Sequence, residues 1–121
     1  MIATAHLRLA RPTRDLPAVR RFYTEGLGLD VLFHKEGELV MVGAPGAAWH
    51  LELVAGGTPT PADEDLLVLY LDGPVDEALV ERLVAAGGRR VSQGEYWDRW
   101  GVTVADPDGY RLVLSTRAWS N

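Results

Sequence analysis

The 121-residue chain is 47% apolar and 24% charged, the mix of one soluble globular domain, which excludes a disordered tail or a coiled coil. Cysteine is absent, which excludes disulfide frameworks, Cys-ligated zinc, iron–sulfur clusters and thiol catalysis. Twelve Lys and Arg against seventeen Asp and Glu leave a net charge of −5, so nucleic acid and anionic membrane surfaces are poor partners and a cationic ligand is favoured.

Residues 5–10 alternate polar with apolar side chains, which predicts a half-buried strand, and Arg11-Pro12-Thr13 ends it. Asp15 offers an N-cap carboxylate to a helix whose apolar side is Leu16, Val19, Phe22 and Tyr23, with Gly26 and Gly28 as its stop. Three extended runs follow at 30–35, 38–43 and 49–54, separated by Glu36-Gly37 and Ala44-Pro45-Gly46.

Residues 55–65, rich in Gly, Pro, Thr and acids, form the one good linker. After it, 66–71 is a continuous apolar run, the pattern of a strand covered on both faces. Gly73-Pro74 is expected to open a second helix with stripe Val75, Leu79, Leu83 and Ala86, closed by Gly87-Gly88. Extended runs at 89–92, 101–105 and 110–115 complete the chain, with Asp106-Pro107-Asp108-Gly109 as the last hairpin turn. No apolar run approaches the roughly 20 residues of a membrane span, and Met1 to Arg11 has no basic-then-apolar leader pattern. A cytoplasmic location is therefore expected.

Both halves read β-α-β-β-β, and a shift of about 60 residues lays one on the other, Gly28 on Gly88 and 49–54 on 110–115. The expected architecture is a single α+β domain over 1–121. Module one covers about 1–55, the linker about 56–65 and module two about 66–121. Neither open sheet is complete alone, so the two βαβββ modules are expected to pair into a curved sheet around a cleft, where a small ligand would bind.

The segments His6-Leu-Arg-Leu, Asp15-Leu-Pro-Ala-Val-Arg-Arg-Phe22-Tyr23-Thr-Glu-Gly-Leu-Gly28, His50-Leu-Glu52-Leu and Asp106-Pro-Asp-Gly-Tyr-Arg-Leu-Val-Leu resemble the vicinal oxygen chelate superfamily. That superfamily contains glyoxalase I, bleomycin resistance proteins and extradiol dioxygenases, and the resemblance covers nearly the whole chain. It implies one metal ligand from the first and one from the last strand of each half. Carried over, the first-half positions are His6 and Glu52, with Arg8 as the alternative occupant of the first. The second-half positions fall on Leu66 and Val113, which cannot bind a metal. The resemblance also implies a homodimer.

His50 and Glu52 stand two apart on one strand and share a face, opposite Trp49, Leu51 and Leu53. Three readings are open. The pair is a buried hydrogen-bonded couple, it lines a pocket and holds a ligand directly, or with His6 it forms the two-imidazole, one-carboxylate set of non-haem iron sites. Tyr96, Trp97 and Trp100 crowd a polar stretch expected to be a rim loop, where they either stack on a flat or cationic ligand or lid the core. Between them Asp98 and Arg99 read as a solvated pair, and His34 as a surface residue. No Gly-x-Ser-x-Gly and no phosphate-cradling glycine loop occurs, and Arg20-Arg21 and Arg89-Arg90 are isolated basic pairs.

The expected function is binding of a small organic molecule, cationic or aromatic, in a metal-free cleft that involves His50, Glu52, Tyr96, Trp97 and Trp100, with no cofactor. The rival is a metal-dependent oxygenase or lyase using a divalent ion on His6, His50 and Glu52. A third reading is a structural dimer module. The residues alone leave open whether the chain is catalytic.

Overall fold

The computed structural model describes residues 2–120. After a single 3-10 turn (Ile2–Thr4), module one runs β1 (Leu7–Thr13), α1 (Leu16–Arg21), a π-helical turn (Phe22–Gly26), β2 (Asp30–Lys35), β3 (Leu39–Gly43) and β4 (Trp49–Ala55). Module two runs β5 (Leu66–Tyr70), α2 (Glu77–Ala85), β6 (Arg89–Val91), α3 (Glu95–Trp100), β7 (Gly101–Ala105) and β8 (Arg111–Ser115). Each module builds one four-stranded mixed sheet, in the orders β1-β4-β3-β2 and β5-β8-β7-β6. Both outer pairs, β1 with β4 and β5 with β8, are parallel, and the rest are antiparallel. The two modules therefore carry the same sheet topology, as their sequence repeat requires.

Asp15 caps α1 as expected, its carboxylate accepting from the Ala18 amide at 3.0 Å. The second helix starts later than Gly73-Pro74 suggests. Asp76 is its N-cap, accepting from the Ala78 amide, and Pro74 lies outside it. A side-chain acceptor for an orphan helix amide outweighs a proline that merely tolerates the first turn.

One core serves both modules. Val19, Phe22 and Tyr23 from the first helical segment meet Val80 and Leu83 of α2. Around them lie Val40, Val42, Leu51 and Leu53 from the first sheet and Val104, Leu112 and Leu114 from the second. The alternate residues of each sheet consequently face away from this shared core. The β5 run, expected to be covered on both faces, is instead an edge strand whose Leu66–Leu69 are half-buried and whose Tyr70 is exposed.

Gly101 sits where no side chain fits, and Gly43 where one would be tight. A Cβ at Gly101 would lie 2.2 Å from the Leu114 carbonyl oxygen, so β7 can approach β8 only as glycine there. A Cβ at Gly43 would lie 3.0 Å from Leu32 Cδ1 and 3.1 Å from His50 Cβ, so glycine leaves the room that His50 occupies.

The linker is tied down rather than loose. Arg11, buried, donates to Asp65 Oδ1 at 2.9 Å and stacks over the Tyr110 ring, while Tyr110 Oη accepts from the Thr60 amide. No helix among the described residues is long and apolar enough to cross a membrane.

Candidate functional site

In β4, Trp49, Leu51 and Leu53 pack toward the core, which turns His50 and Glu52 to the outward face. The parallel register sets Arg8 opposite His50 and Ala10 opposite Glu52. The antiparallel neighbour β3 adds Gly43 opposite His50, Met41 opposite Glu52 and Leu39 opposite Val54. Directly opposed residues share a face. The outward face of the first sheet thus has a polar end, His6, Arg8, His50 and Glu52, and an apolar end, Leu39, Met41 and Val54.

His6 and His50 meet through Nε2 and Nδ1 at 2.6 Å, so one imidazole donates to the other. Their rings lie 4.9 Å apart, and the remaining nitrogen of His50, Nε2, is buried without a partner. Glu52 is 9% exposed and receives a hydrogen bond from Arg8 NH1 at 3.3 Å. That ion pair supplies the counter-charge a nearly buried carboxylate requires. Sequence reasoning held Arg8 only as an alternative to His6. Strand parity was the signal, because Arg8 alternates with Leu7 and Leu9 and so shares the face of His50.

The register also shows which first-strand residue corresponds to Leu66 in the second sheet. In the second sheet Leu66 lies opposite Arg111 and Val68 opposite Val113. Arg8 opposite His50 is the matching place, while His6 lies just before β1. Carried over at this register, the ligand positions that the resemblance implies fall on Arg8, Glu52, Leu66 and Val113. One of the four is a metal donor, and a guanidinium already neutralises it. One nitrogen of each imidazole, His6 Nε2 and His50 Nδ1, is taken up by the other ring. Among the described residues no group of three or more His, Cys, Asp or Glu is placed to hold a metal ion. These residues do not fit a metal centre.

The three aromatics expected on a rim loop stand instead on the six-residue helix α3, which lies against β7 and β8. The run Glu95-Tyr-Trp-Asp-Arg-Trp100 has neither a long apolar stripe nor a capping side chain. Asp98 fastens the turn before the helix by accepting from the Ser92 hydroxyl and the Gln93 amide. These two bonds hold its carboxyl below the usual range. It does not pair with Arg99, which stacks on Trp100 at 5.1 Å, while Arg117 lies 4.8 Å from the same ring. Tyr96 and Trp97 meet edge to face, with Tyr96 exposed. No ring contact, ion pair or hydrogen bond among the described residues joins this group to His50 and Glu52, which stand on the other sheet. Behind α3, Thr103 is buried with its Oγ1 unpartnered, beside a polar hollow of about 320 Å³ lined by Arg90, Ser92 and Asp98.

Comparison with known proteins places this geometry. Residues 7–54 match the YycE-like N-terminal domain and residues 64–116 the YycE-like C-terminal domain. The protein YycE of Bacillus subtilis is 40% identical over 120 residues, covering 91% of this chain and 86% of the relative. The crystal structure of a YycE protein of unknown function from Bacillus subtilis superposes with a TM-score of 0.82 at 34% identity, over 98% of this chain and 93% of that one. TnmS3, an antibiotic-binding protein from Streptomyces sp. CB03234, superposes with a TM-score of 0.68 at 26% identity, over 98% and 100% of the two chains.

Proposed function

Because the chain belongs to the YycE-like family, within the vicinal oxygen chelate superfamily of glyoxalases and bleomycin and fosfomycin resistance proteins, we propose that it binds a small organic molecule without a metal ion. The observation that carries this reading is the Arg8–Glu52 pair. It puts a fixed positive charge where a metal-dependent relative would place a ligand, and it occupies the carboxylate beside it. The antibiotic-binding neighbour supports the same class of function. The metal-dependent alternative on His6, His50 and Glu52 has the His6–His50 contact, but among the described residues no third donor is grouped with the two rings to hold an ion.

The binding cleft is completed by a second copy of the chain. The support is geometric. The polar face of the first sheet and the outward face of the second both turn away from the shared core. A two-fold partner brings the first sheet of one copy opposite the second sheet of the other. His50 and Glu52 of one copy then share a cleft with Tyr96, Trp97 and Trp100 of its mate, which provide flat apolar surface for an aromatic ligand. The protein acts in the cytoplasm in this reading.

Tryptophan fluorescence titrated with a panel of small aromatic compounds, with and without EDTA, tests the proposal. Saturable quenching that EDTA leaves unchanged is the expected result. Binding abolished by EDTA and restored by one divalent ion would overturn it.

A further inference from the structure

The outward face of the first sheet carries one exposed guanidinium held in place by a nearly buried carboxylate. The Arg8 side chain is 54% exposed and that of Glu52 12% exposed. A guanidinium has five N–H donors, and Arg8 directs NH1 at Glu52 Oε1. Among the described residues its other donors meet no acceptor. Free surface arginines lose several rotatable bonds' worth of freedom when they bind a ligand, and anchoring at Glu52 removes part of that loss beforehand. Within a Debye length of about 8 Å a ligand meets this local charge rather than the net charge of the whole chain. Arg8 and Glu52 offset each other, so this ion pair presents no net negative charge to a ligand. Toward β3 the same face becomes apolar at Met41, Leu39 and Val54, all half-buried.

We propose that Arg8 is the anion-recognising residue of the site. Its unused N–H donors grip a planar or tetrahedral oxyanion on the ligand, a carboxylate or a phosphonate, while Met41, Leu39 and Val54 take the apolar part. This deepens the small-molecule reading and rests on it. Glu52 is a positioning residue that sets the direction of the guanidinium. The fork geometry of arginine makes lysine a poor substitute, since an ammonium offers a point charge in place of paired donors.

The test is an NMR titration of the full chain with benzoate, phenylphosphonate and benzamide, which share a ring and differ in charge. Benzoate and phenylphosphonate are expected to bind at least tenfold more tightly than benzamide and to shift the Arg8 Nε–Hε resonance. Arg8→Gln leaves Glu52 without its counter-charge and risks destabilising the sheet. The double variant Arg8→Gln with Glu52→Gln keeps a neutral hydrogen-bonded pair instead. In that variant, its fold checked by its amide NMR spectrum, the preference for the acids over benzamide should vanish. Arg8→Lys should lose most of the preference for benzoate. Equal binding of all three probes would overturn this inference and leave small-molecule binding standing. A preference that survives in the double variant would overturn it too, because the charge would then come from elsewhere. Failure of both acids to bind, with other aromatic compounds still quenching tryptophan, would sink the anion site alone. Failure of every compound in both titrations would sink the function reading as well.

Discussion

Tyr23, in the first module, donates its hydroxyl to Asp106 Oδ2 in the second at 2.7 Å, and both side chains are buried. The other oxygen of Asp106 accepts from the amides of Asp108 and Tyr110, which shapes the Asp-Pro-Asp-Gly turn. Arg14 extends the junction by donating its amide to Asp108 Oδ1 at 3.1 Å. The turn read in sequence as a hairpin is thus also the clasp between the repeats.

Removing the clasp should cost stability. Tyr23→Phe leaves a buried carboxylate oxygen without its donor, a loss of about 1–3 kcal/mol. Burial, followed by the neighbouring Asp106, pushes the Tyr23 hydroxyl well above its ordinary value of 10.0. A group whose pKa is raised on folding stabilises fully below its unfolded value and loses that contribution as pH rises toward its folded one. Above pH 10 the parent should lose about 1.4 kcal/mol per pH unit through this group, a slope Tyr23→Phe lacks. Urea melts of both proteins between pH 9 and 11 check the sign.

Asp106 titrates by the same logic at the acid end. Burial raises its carboxyl above 3.8, against the lowering effect of the bonds from Tyr23 and the two amides. Its contribution is full below pH 3.8 and declines as pH rises through the raised value. Asp106→Asn should therefore flatten the stability profile just above pH 4, measured by denaturant midpoints. A steeper profile in the variant would contradict the assignment.

Trp100 distinguishes ligand stacking from support of the fold. Two guanidiniums flank its ring, and its backbone oxygen accepts from both the amide and the hydroxyl of Thr116. Trp100→Ala should lower stability by about 1–3 kcal/mol, less than loss of a fully buried tryptophan. Trp97→Ala should weaken aromatic ligands about tenfold with little change in melting temperature. Equal melting losses in both variants would make α3 a lid over the sheet.

Gly43 gives a structural probe of the polar face. Gly43→Ala forces contacts near 3 Å with Leu32 and His50, and should cost about 1–3 kcal/mol and move the His50 ring resonances. Unchanged histidine resonances would show that His50 does not depend on the space beside Gly43.

The two-module fold was legible because the residues that make it are local and periodic. Asp15, the alternation in Trp49-His-Leu-Glu-Leu and the Asp-Pro-Asp-Gly turn act within a few positions of themselves. The face shared by His50 and Glu52 followed from strand parity alone. Register between distant strands did not follow: a single shift of about 60 sets Leu66 on His6, whereas the strand register sets it on Arg8. Glu95–Trp100 looked like a loop because six residues without a stripe carry too little periodicity, and its helix is held by Ser92, Gln93 and β7. The Tyr23–Asp106 clasp was invisible for the same reason: it joins residues far apart in the chain that only packing brings together.

Metal content tests the central claim most directly. Protein purified without an affinity tag should carry no stoichiometric iron, zinc, nickel or manganese by elemental analysis, and Glu52→Gln should leave that content unchanged. About one equivalent of a transition metal, lost on Glu52→Gln, would contradict the account.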